Sequence, residues 1–457
     1  MRPTSLLVVF VTFLQLVPNG SAESVMLTRR STGERHSPIV KRLIADSPNP
    51  NKSDSPRTTG AGIRRRGIVK NYYQPARVRR EETNGENGSA KDDAKTNPPT
   101  TTTGQTAWAK PSDSPASLVG VISEGDAIVY TIDIKVGKEG VTVPVLVDTG
   151  SADLWVAGTS CPDCVATHMV DSKLKGEEGC TVVSKNYGKG SAKGCMVPTN
   201  VQIGNYQLEN FPVIAAETVA EFDGSYMRQV IGIFGLAMNK SAYANKATPL
   251  NRLSQLNMIS TPEVGFYLDR EVTGSKMVFG SPHDDPHADK SNKVVLQQQD
   301  SSNGLYQVSL DGFVSYGNLI KSGSKAFSMA NLPVILDTGT SDIRVPEKMM
   351  IPIYAALGHN VYWNESTTDT QVVRCNGFDD KKDSAFALQF NGKQFAIKWQ
   401  DLVANQSPLN PEYCYARIQP SPPGIEDSII IGSVFFHNAY HVVNTDTGDV
   451  TIYGLAP

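Results

Sequence analysis

The sequence predicts a mainly β protein that is built from two related lobes. The chain has 38 glycines and 28 prolines among its 457 residues, a share typical of turn-rich β proteins. Residues 128–137 alternate apolar and polar side chains, as a strand with one buried face does. Few stretches show the 3.6-residue period of a helix. The composition excludes a collagen, a coiled-coil rod and a wholly disordered chain.

An internal repeat indicates how the strands are organised. Residues 143–154 read VPVLVDTGSADL, and residues 332–343 read LPVILDTGTSDI. A fainter pair of similar segments follows, at residues 232–235 and 429–432. Chance explains a single Asp-Thr-Gly after an apolar strand far more easily than two such copies. The repeat therefore predicts two lobes related by a pseudo-twofold axis, with a cleft between them.

The repeat places an aspartate, Asp148 or Asp337, directly after each apolar strand. Gly150 and Gly339 allow each backbone to turn sharply and to pack close to its counterpart. Two carboxyl groups in contact cannot both ionise easily, so they share one proton. One then serves as general base and the other as general acid toward a water held between them. This chemistry predicts peptide hydrolysis at acidic pH through a tetrahedral intermediate, without an acyl-enzyme.

Residues 1–22 have the pattern of a signal peptide. An apolar run from residue 6 to residue 17 precedes Pro18 and a group of small residues. Because the run is too short for a membrane span, we expect cleavage and export without a membrane anchor. An N-terminal anchor is the alternative. The expected destination is the extracellular space, with the vacuole as a second possibility.

Residues 23–116 differ from the rest of the chain in charge and in their lack of hydrophobic periodicity. Residues 23–80 hold 14 Lys and Arg against 4 Asp and Glu, whereas residues 117–457 hold 25 against 36. Such a polar segment buries too little apolar surface to fold alone. We interpret it as a pro-segment that inhibits the acidic part of the chain, residues 117–457, and is removed near Arg80 or as late as residue 116. A flexible basic tail is the alternative. The acidic body also excludes nucleic acid as a partner.

From about residue 117 onward, the chain resembles the pepsin-like aspartic proteases in a secreted fungal style. The resemblance rests on both Asp-Thr-Gly copies, on Trp155 seven residues after the first aspartate, and on a flap motif at residues 187–191. It implies an all-β bilobal fold with two β-barrel-like lobes, residues 117–297 and 298–457. It also implies a monomeric endopeptidase that acts on peptides or proteins, needs no cofactor or metal, and prefers apolar residues around the scissile bond.

The resemblance assigns roles to residues on both loops. Asp148 and Asp337 match the catalytic dyad. Thr149 and Thr338 match the residues that cross-brace the two loops. The residues after the two glycines, Ser151 and Thr340, match those whose hydroxyls donate a hydrogen bond to the outer carboxylate oxygens. The full set of implied supports is Thr149, Gly150, Ser151, Thr338, Gly339 and Thr340.

The Tyr-Gly-x-Gly-Ser motif matches the family's flap, a hairpin that covers the substrate and excludes water. Tyr187 would hydrogen-bond toward Trp155, and Gly188 and Lys189 would offer backbone N–H groups to the peptide. Relatives usually carry Thr, Ser or Asp where Lys189 stands. Its charge would disfavour a basic residue beside the scissile bond, unless it is only a solvated lysine. Further substrate-binding candidates are Ile335 and Ile430.

Three positions depart from the family pattern. Ile231 and Ser433 stand where many relatives have aspartate, and Asp342 stands where relatives have an apolar residue. Fewer acidic neighbours should change the pKa values of the dyad, so the sequence leaves the pH optimum open. The departures also leave open an inactive, pepsin-fold binding or inhibitor protein.

Six cysteines in an exported chain predict three disulfides. The resemblance implies Cys375–Cys414 and Cys161–Cys164, which leaves Cys180–Cys195 around the flap; Cys164–Cys180 remains an alternative. A zinc set of Cys161, Cys164, His168 and Cys180 is disfavoured by an oxidising route. Asn-x-Ser sequons predict glycosylation at Asn239, Asn364 and Asn405.

Overall fold

The computed structural model describes residues 115–457, apart from residues 123–127, 160, 163, 165–179, 189, 221, 223–229, 244–246, 272, 301, 323–326, 359–360, 364–370, 376–385 and 407–409. The predicted signal peptide and nearly all of the predicted pro-segment therefore lie outside the described residues. None of the helices within these ranges is long and apolar enough to cross a membrane.

The described residues form 27 strands and four short α-helices. The strands of the first half are β1 (Pro115–Ser117), β2 (Val119–Ile122), β3 (Ile128–Val136), β4 (Val141–Asp148), β5 (Leu154–Ala157), β6 (Thr181–Asn186), β7 (Ser191–Ile203), β8 (Tyr206–Ala220), β9 (Gly232–Gly235), β10 (Glu263–Tyr267), β11 (Lys276–Phe279) and β12 (Ala288–Leu296). Those of the second half are β13 (Gln307–Leu310), β14 (Gly312–Ser315), β15 (Asn318–Leu319), β16 (Leu332–Leu336), β17 (Ile343–Val345), β18 (Val361–Trp363), β19 (Gln371–Arg374), β20 (Phe386–Phe390), β21 (Lys393–Ile397), β22 (Val403–Gln406), β23 (Tyr413–Ala416), β24 (Ile418–Pro420), β25 (Ile430–Ile431), β26 (Ala439–Asn444) and β27 (Val450–Leu455). The helices are α1 (Pro249–Gln255), α2 (Glu347–Ala356), α3 (Trp399–Leu402) and α4 (Ser433–Phe436).

The N-terminal lobe is organised around one eight-stranded sheet with the order β2-β3-β4-β9-β5-β8-β7-β6. Its central strands β5 and β9 are wholly buried, and β4 is buried over its last four residues, as expected for strands covered on both faces. The C-terminal lobe is built from a five-stranded sheet, β13-β16-β25-β17-β24, and two four-stranded sheets. The mainly β, bilobal fold predicted from the sequence is confirmed.

The two copies of the repeat occupy equivalent places in the two lobes. In the N-terminal lobe, β4 pairs in parallel with β9, and β5 pairs antiparallel with β9. In the C-terminal lobe, β16 pairs in parallel with β25, and β17 pairs antiparallel with β25. The fainter similarity between residues 232–235 and 429–432 therefore marks the strands that flank each Asp-Thr-Gly loop.

A further sheet, of six strands, joins the two halves of the chain. Its order is β1-β11-β10-β26-β27-β12, so the last two strands of the chain pair with strands from the middle. A division at residue 297 therefore separates strands of one sheet. β1 begins at Pro115 and pairs with β11, although the sequence analysis placed residues 115 and 116 in the pro-segment.

A buried polar network lies between β3 and the C-terminal half. The Tyr130 hydroxyl lies 2.8 Å from Nε2 of His437, whose Nδ1 lies 3.1 Å from a carboxylate oxygen of Asp401. Tyr130 donates its single hydroxyl hydrogen to the backbone carbonyl of Asp269, so the His437 ring nitrogen donates to the Tyr130 oxygen. Arg270 donates to both oxygens of Asp401. Burial would raise the pKa of Asp401, but hydrogen bonds from His437 and Arg270 outweigh it and lower that pKa.

Candidate active site

The two strands that precede the Asp-Thr-Gly loops deliver their aspartates to the same place. Asp148 is the last residue of β4, and Asp337 directly follows β16. The inner oxygen of each carboxylate accepts a hydrogen bond from the backbone N–H of the glycine two residues later, at 2.9 Å in the first loop and 2.8 Å in the second. The outer oxygens accept from the hydroxyls of Ser151, at 2.5 Å, and Thr340, at 2.6 Å.

The threonines of the two loops hold each other across the pseudo-twofold axis. Thr149 and Thr338 each donate a backbone N–H to the other's hydroxyl oxygen, at 3.0 Å in both directions. Each hydroxyl donates in turn to a carbonyl of the opposite strand, that of Leu336 or Val147. Both threonines are buried. Four reciprocal hydrogen bonds therefore fix the separation of the two loops.

The glycines make room for the carboxyl groups. A Cβ atom at position 150 would lie 2.7 Å from Cγ of Asp337, and a Cβ atom at position 339 would lie 2.8 Å from Cγ of Asp148. Real side chains do not tolerate such distances, because something would have to shift. Each glycine therefore lies against the aspartate of the opposite loop.

The environment of Asp148 favours its protonated form. Burial raises the pKa of Asp148 well above its usual range, and the negative charge of Asp337 beside it raises that pKa further. Hydrogen bonds from Ser151 and the Gly150 N–H act in the opposite direction without cancelling the effect. The two side chains also hydrogen-bond to each other. One proton shared by two carboxyl groups provides a general acid and a general base at the same site.

The flap motif forms the end of a hairpin between β6 and β7. The strands pair from Thr181↔Met196 to Asn186↔Ser191, and the Tyr187 N–H donates to the Gly190 carbonyl at 2.9 Å. Gly190 has a φ of +88°, and a Cβ atom there would collide with the ring of Phe222. Gly188 is exposed. Lys189 lies outside the described residues.

The contact between Tyr187 and Trp155 differs from the expectation. The Trp155 indole is buried, and its N–H has no hydrogen-bond partner among the described residues. Phe222 lies against both rings, with centroid distances of 5.8 Å to Tyr187 and 6.0 Å to Trp155. The aromatic contact with Phe222 therefore replaces the expected hydrogen bond. Phe222 follows β8 with no motif around it, so sequence reasoning missed it.

The other residues singled out from the sequence lie on or beside the strands that flank the two loops. Ile335 and Ile430 are half-buried neighbours in the parallel pairing of β16 with β25. Ile231 is buried, and its N–H donates to the Pro144 carbonyl. Ser433 is buried too; its N–H donates to the Thr340 carbonyl, while its hydroxyl has no partner within the described ranges. Neither Ile231 nor Ser433 supplies a carboxylate near the dyad.

Asp342 and its counterpart Asp153 both form ion pairs. Asp342 lies 2.9 Å from Arg344 and 3.2 Å from Arg417, one arginine on each carboxylate oxygen. Asp153, five residues after Asp148, lies 2.5 Å from Lys185 on β6. Sequence reasoning noticed Asp342 but did not single out Asp153 or Lys185. The signal was present, because each copy of the repeat reads Asp-Thr-Gly-x-x-Asp.

The structure joins the cysteines as Cys161–Cys164, Cys180–Cys195 and Cys375–Cys414. The alternative Cys164–Cys180 pairing is not formed, and His168 of the zinc alternative lies outside the described residues. Cys180–Cys195 closes the flap hairpin at the end opposite its tip. Of the predicted glycosylation sites, Asn405 is exposed, Asn239 is half-buried, and Asn364 lies outside the described residues.

Comparison with known proteins gives one consistent result. The family model described as eukaryotic aspartyl protease matches residues 129–455. Rhizopuspepsin-4 of Rhizopus niveus is 27% identical over 73% of this chain and 79% of its own. Syncephapepsin of Syncephalastrum racemosum is 28% identical over 74% of this chain and 81% of its own length. Vacuolar protease A of Neurospora crassa is 25% identical over 71% of this chain and 78% of its own length. The chain therefore belongs to the eukaryotic aspartyl protease family and is a pepsin-like aspartic-type endopeptidase.

Proposed function

We propose that Asp148 and Asp337 are the catalytic dyad of a secreted endopeptidase that works at acidic pH. The observation that carries the assignment is the reciprocal bracing by Thr149 and Thr338, which holds two carboxyl groups in contact. Where the structure describes the chain, the hydrogen-bond partners of this pair include no cation, and a buried acidic pair of this kind is most stable when the two groups share a proton.

The shared proton defines the mechanism. A water between the carboxyl groups loses a proton to the ionised one and attacks the substrate carbonyl carbon, while the protonated one donates to the carbonyl oxygen. The resulting tetrahedral diol collapses when a carboxyl group protonates the leaving nitrogen and the C–N bond breaks. Water is the nucleophile, so no covalent enzyme intermediate forms. Both carboxyl groups are required, which makes an inactive binding protein a poor fit to a chain that retains them.

Substrate binding falls to the flap and to the apolar walls of the cleft. Gly188 and Lys189 offer backbone N–H groups to an extended peptide, and the ring of Tyr187 covers it. The half-buried side chains of Ile335 and Ile430 support a preference for apolar residues around the scissile bond. The charge of Lys189 would act against a basic residue beside that bond; a cleavage profile unchanged by Lys189→Thr would refute this.

The pro-segment and the destination are part of the same proposal. The net charge of residues 23–80 is +10, and that of residues 117–457 is −11, so attraction between them is expected at neutral pH. Acid protonates the carboxylates of the body and weakens the attraction, which would release the pro-segment where the enzyme works. One relative carries the name vacuolar protease A, so delivery to a vacuole stays the alternative to export to the medium.

The proposal is tested by expressing the chain through a secretory host and assaying cleavage of a denatured protein from about pH 3 to pH 7. Pepstatin, an inhibitor of aspartic proteases, and the Asp148→Asn variant are the two controls. We expect pepstatin-sensitive proteolysis at acidic pH that is absent in the variant. A folded, processed product without proteolysis would refute the assignment, as would activity that survives Asp148→Asn.

A further inference from the structure

A charged side chain points inward on the first strand of the flap hairpin. Among the described strands, β6 lies at the edge of its sheet and pairs with β7 alone. Residues 182, 184 and 186 are exposed, whereas Val183 is buried and Tyr187 is half-buried. Successive side chains of a strand alternate between faces, so Lys185 shares the inward face with them. Its side chain is only 21% exposed.

The partner of Lys185 is part of the catalytic loop. Its ammonium nitrogen lies 2.5 Å from a carboxylate oxygen of Asp153, whose side chain is 5% exposed. The other oxygen of Asp153 accepts the Tyr243 N–H at 2.9 Å, so a second segment fixes the carboxylate. Asp153 lies two residues after Ser151, which donates to Asp148. The ion pair therefore links the flap to the loop that carries one carboxyl group of the dyad.

We propose that the Lys185–Asp153 ion pair is a positioning contact that holds the flap close to the cleft and thereby sets the affinity for the peptide substrate. The proposal rests on the proposed function, because it assigns the flap a role in binding. Lys185 and Tyr187 lie two residues apart on the same face of the strand. An ion pair that holds Lys185 in place therefore also limits how far Tyr187 can move away from the cleft. Neither Lys185 nor Asp153 touches the reacting atoms.

The second strand of the hairpin, β7, pairs with β8 along its length, so β6 is the strand that depends on other attachments. The Cys180–Cys195 disulfide secures the end far from the tip, and Phe222 packs against Tyr187 near the tip. Between them, Val183 and Lys185 are the inward side chains of β6. Removing the charge at position 185 breaks the ion pair that holds the middle of this edge strand, and the flap then opens more readily.

A competing explanation is that Lys185 only prevents β6 from pairing with another chain. Inward-pointing charges on edge strands have this use. The two explanations differ in a measurable way. Protection of an edge predicts changes in aggregation, with KM unchanged, whereas a positioning contact predicts a change in KM that depends on Asp153.

The test is a double-mutant cycle with Lys185→Met, Asp153→Asn and both together, measured as kcat and KM on an apolar peptide substrate. Asp153→Asn retains an acceptor for the Tyr243 N–H. Lys193→Met is the matched control, because Lys193 is an exposed lysine on the other strand of the same hairpin. Lys185→Arg retains the charge and is the rescue variant.

We expect each single substitution to raise KM about fivefold to tenfold, with kcat within about twofold, and the double variant to be no worse than the singles. Lys185→Arg should stay within about twofold of the wild type, and Lys193→Met should leave both constants unchanged. Unchanged KM in the singles would overturn the proposal, and so would single effects that multiply in the double variant.

Hydrogen exchange supplies a readout that needs no activity. Amides of β6 and the adjoining part of β7 should exchange about tenfold faster in Lys185→Met than in the wild type, and at the wild-type rate in Lys193→Met. Equal rates in all three proteins would overturn the proposal. An inactive wild type whose flap amides respond as expected would refute the proposed function alone.

Discussion

The two Asp-Thr-Gly loops are alike at their centres and different at their edges. Each carboxylate accepts a glycine N–H and a hydroxyl, and each threonine braces the other loop. Five residues after Asp148 and five residues after Asp337 comes a second aspartate. Asp153 pairs with Lys185 on the flap, whereas Asp342 pairs with two arginines of its own lobe.

The difference separates two kinds of requirement. What both loops share is what two equivalent carboxyl groups need, namely fixed position and fixed hydrogen-bond donors. What differs follows the asymmetry of the substrate site, because the flap is described in the N-terminal lobe alone. We therefore expect substitutions at the shared positions to act symmetrically, and substitutions at the second aspartates to act on binding in one lobe and on stability in the other.

The largest expected effect tests the equivalence of the two carboxyl groups. Asp337→Asn should reduce kcat by about a thousandfold or more, as Asp148→Asn should, because general acid and base catalysis both fail. The fold should survive, as seen by circular dichroism. A kcat of Asp337→Asn within tenfold of the wild type would show that the C-terminal loop is not equivalent to the N-terminal one.

The next prediction concerns neither loop but the six-stranded sheet that contains strands from both halves of the chain. His441 is buried between the rings of Phe266 and Phe436, its ring nitrogens have no partner within the described ranges, and burial lowers its pKa to about 3. In the unfolded chain the His441 ring becomes protonated below about pH 6.5, whereas in the folded chain it stays neutral down to about pH 3. The free energy of unfolding therefore falls as the pH drops from about 6.5 toward 3.

Replacing that ring by phenylalanine should remove the acid penalty. His441→Phe should raise the free energy of unfolding by about 3 kcal/mol at pH 4 relative to the wild type, with a much smaller change at pH 7. Urea unfolding at both pH values measures the effect, and His287→Gln, at a more exposed histidine, is the control. A gain that is equal at the two pH values would contradict the assigned cause.

The second aspartate of the C-terminal loop should matter for stability. Asp342→Ala removes the carboxylate that faces Arg344 and Arg417 in a half-buried place, and we expect a loss of about 2 kcal/mol in the free energy of unfolding. KM should remain within about twofold, in contrast to Asp153→Asn. A rise in KM equal to that of Asp153→Asn would remove the distinction between the two lobes.

The smallest effect tests the symmetry of the brace. Thr149→Val and Thr338→Val each remove one hydroxyl and leave a buried N–H and a buried carbonyl without partners. We expect each to cost about 1 to 2 kcal/mol in unfolding free energy, with similar losses of kcat. Effects that differ more than tenfold in kcat between the two variants would show that one threonine carries the brace.

The repeat made the centre of the site predictable from the sequence. Asp148 and Asp337 each follow an apolar strand and precede a glycine, and this local pattern determines where the carboxyl groups meet. The threonines and hydroxyl donors are neighbours in the same short segments. The flap was recognisable because Tyr187 and its glycines form a compact motif.

Contacts between distant segments were not predictable in this way. The pairing of β26 with β10 joins residues almost 180 positions apart, and no local pattern specifies it. Phe222 fills the space between Tyr187 and Trp155 without a surrounding motif. The Lys185–Asp153 pair depends on the path of the flap across its own lobe, which alternation along β6 does not reveal.

The pH dependence of kcat/KM in the wild type and in Asp148→Asn tests the shared proton most directly. Because burial and Asp337 raise the pKa of Asp148, the pair keeps one proton over an acidic range and loses it as the pH rises through the raised value. We therefore predict a bell-shaped profile for the wild type, with a maximum at acidic pH, and no measurable activity for Asp148→Asn. An activity that rises continuously to neutral pH, or that persists in Asp148→Asn, would contradict the account.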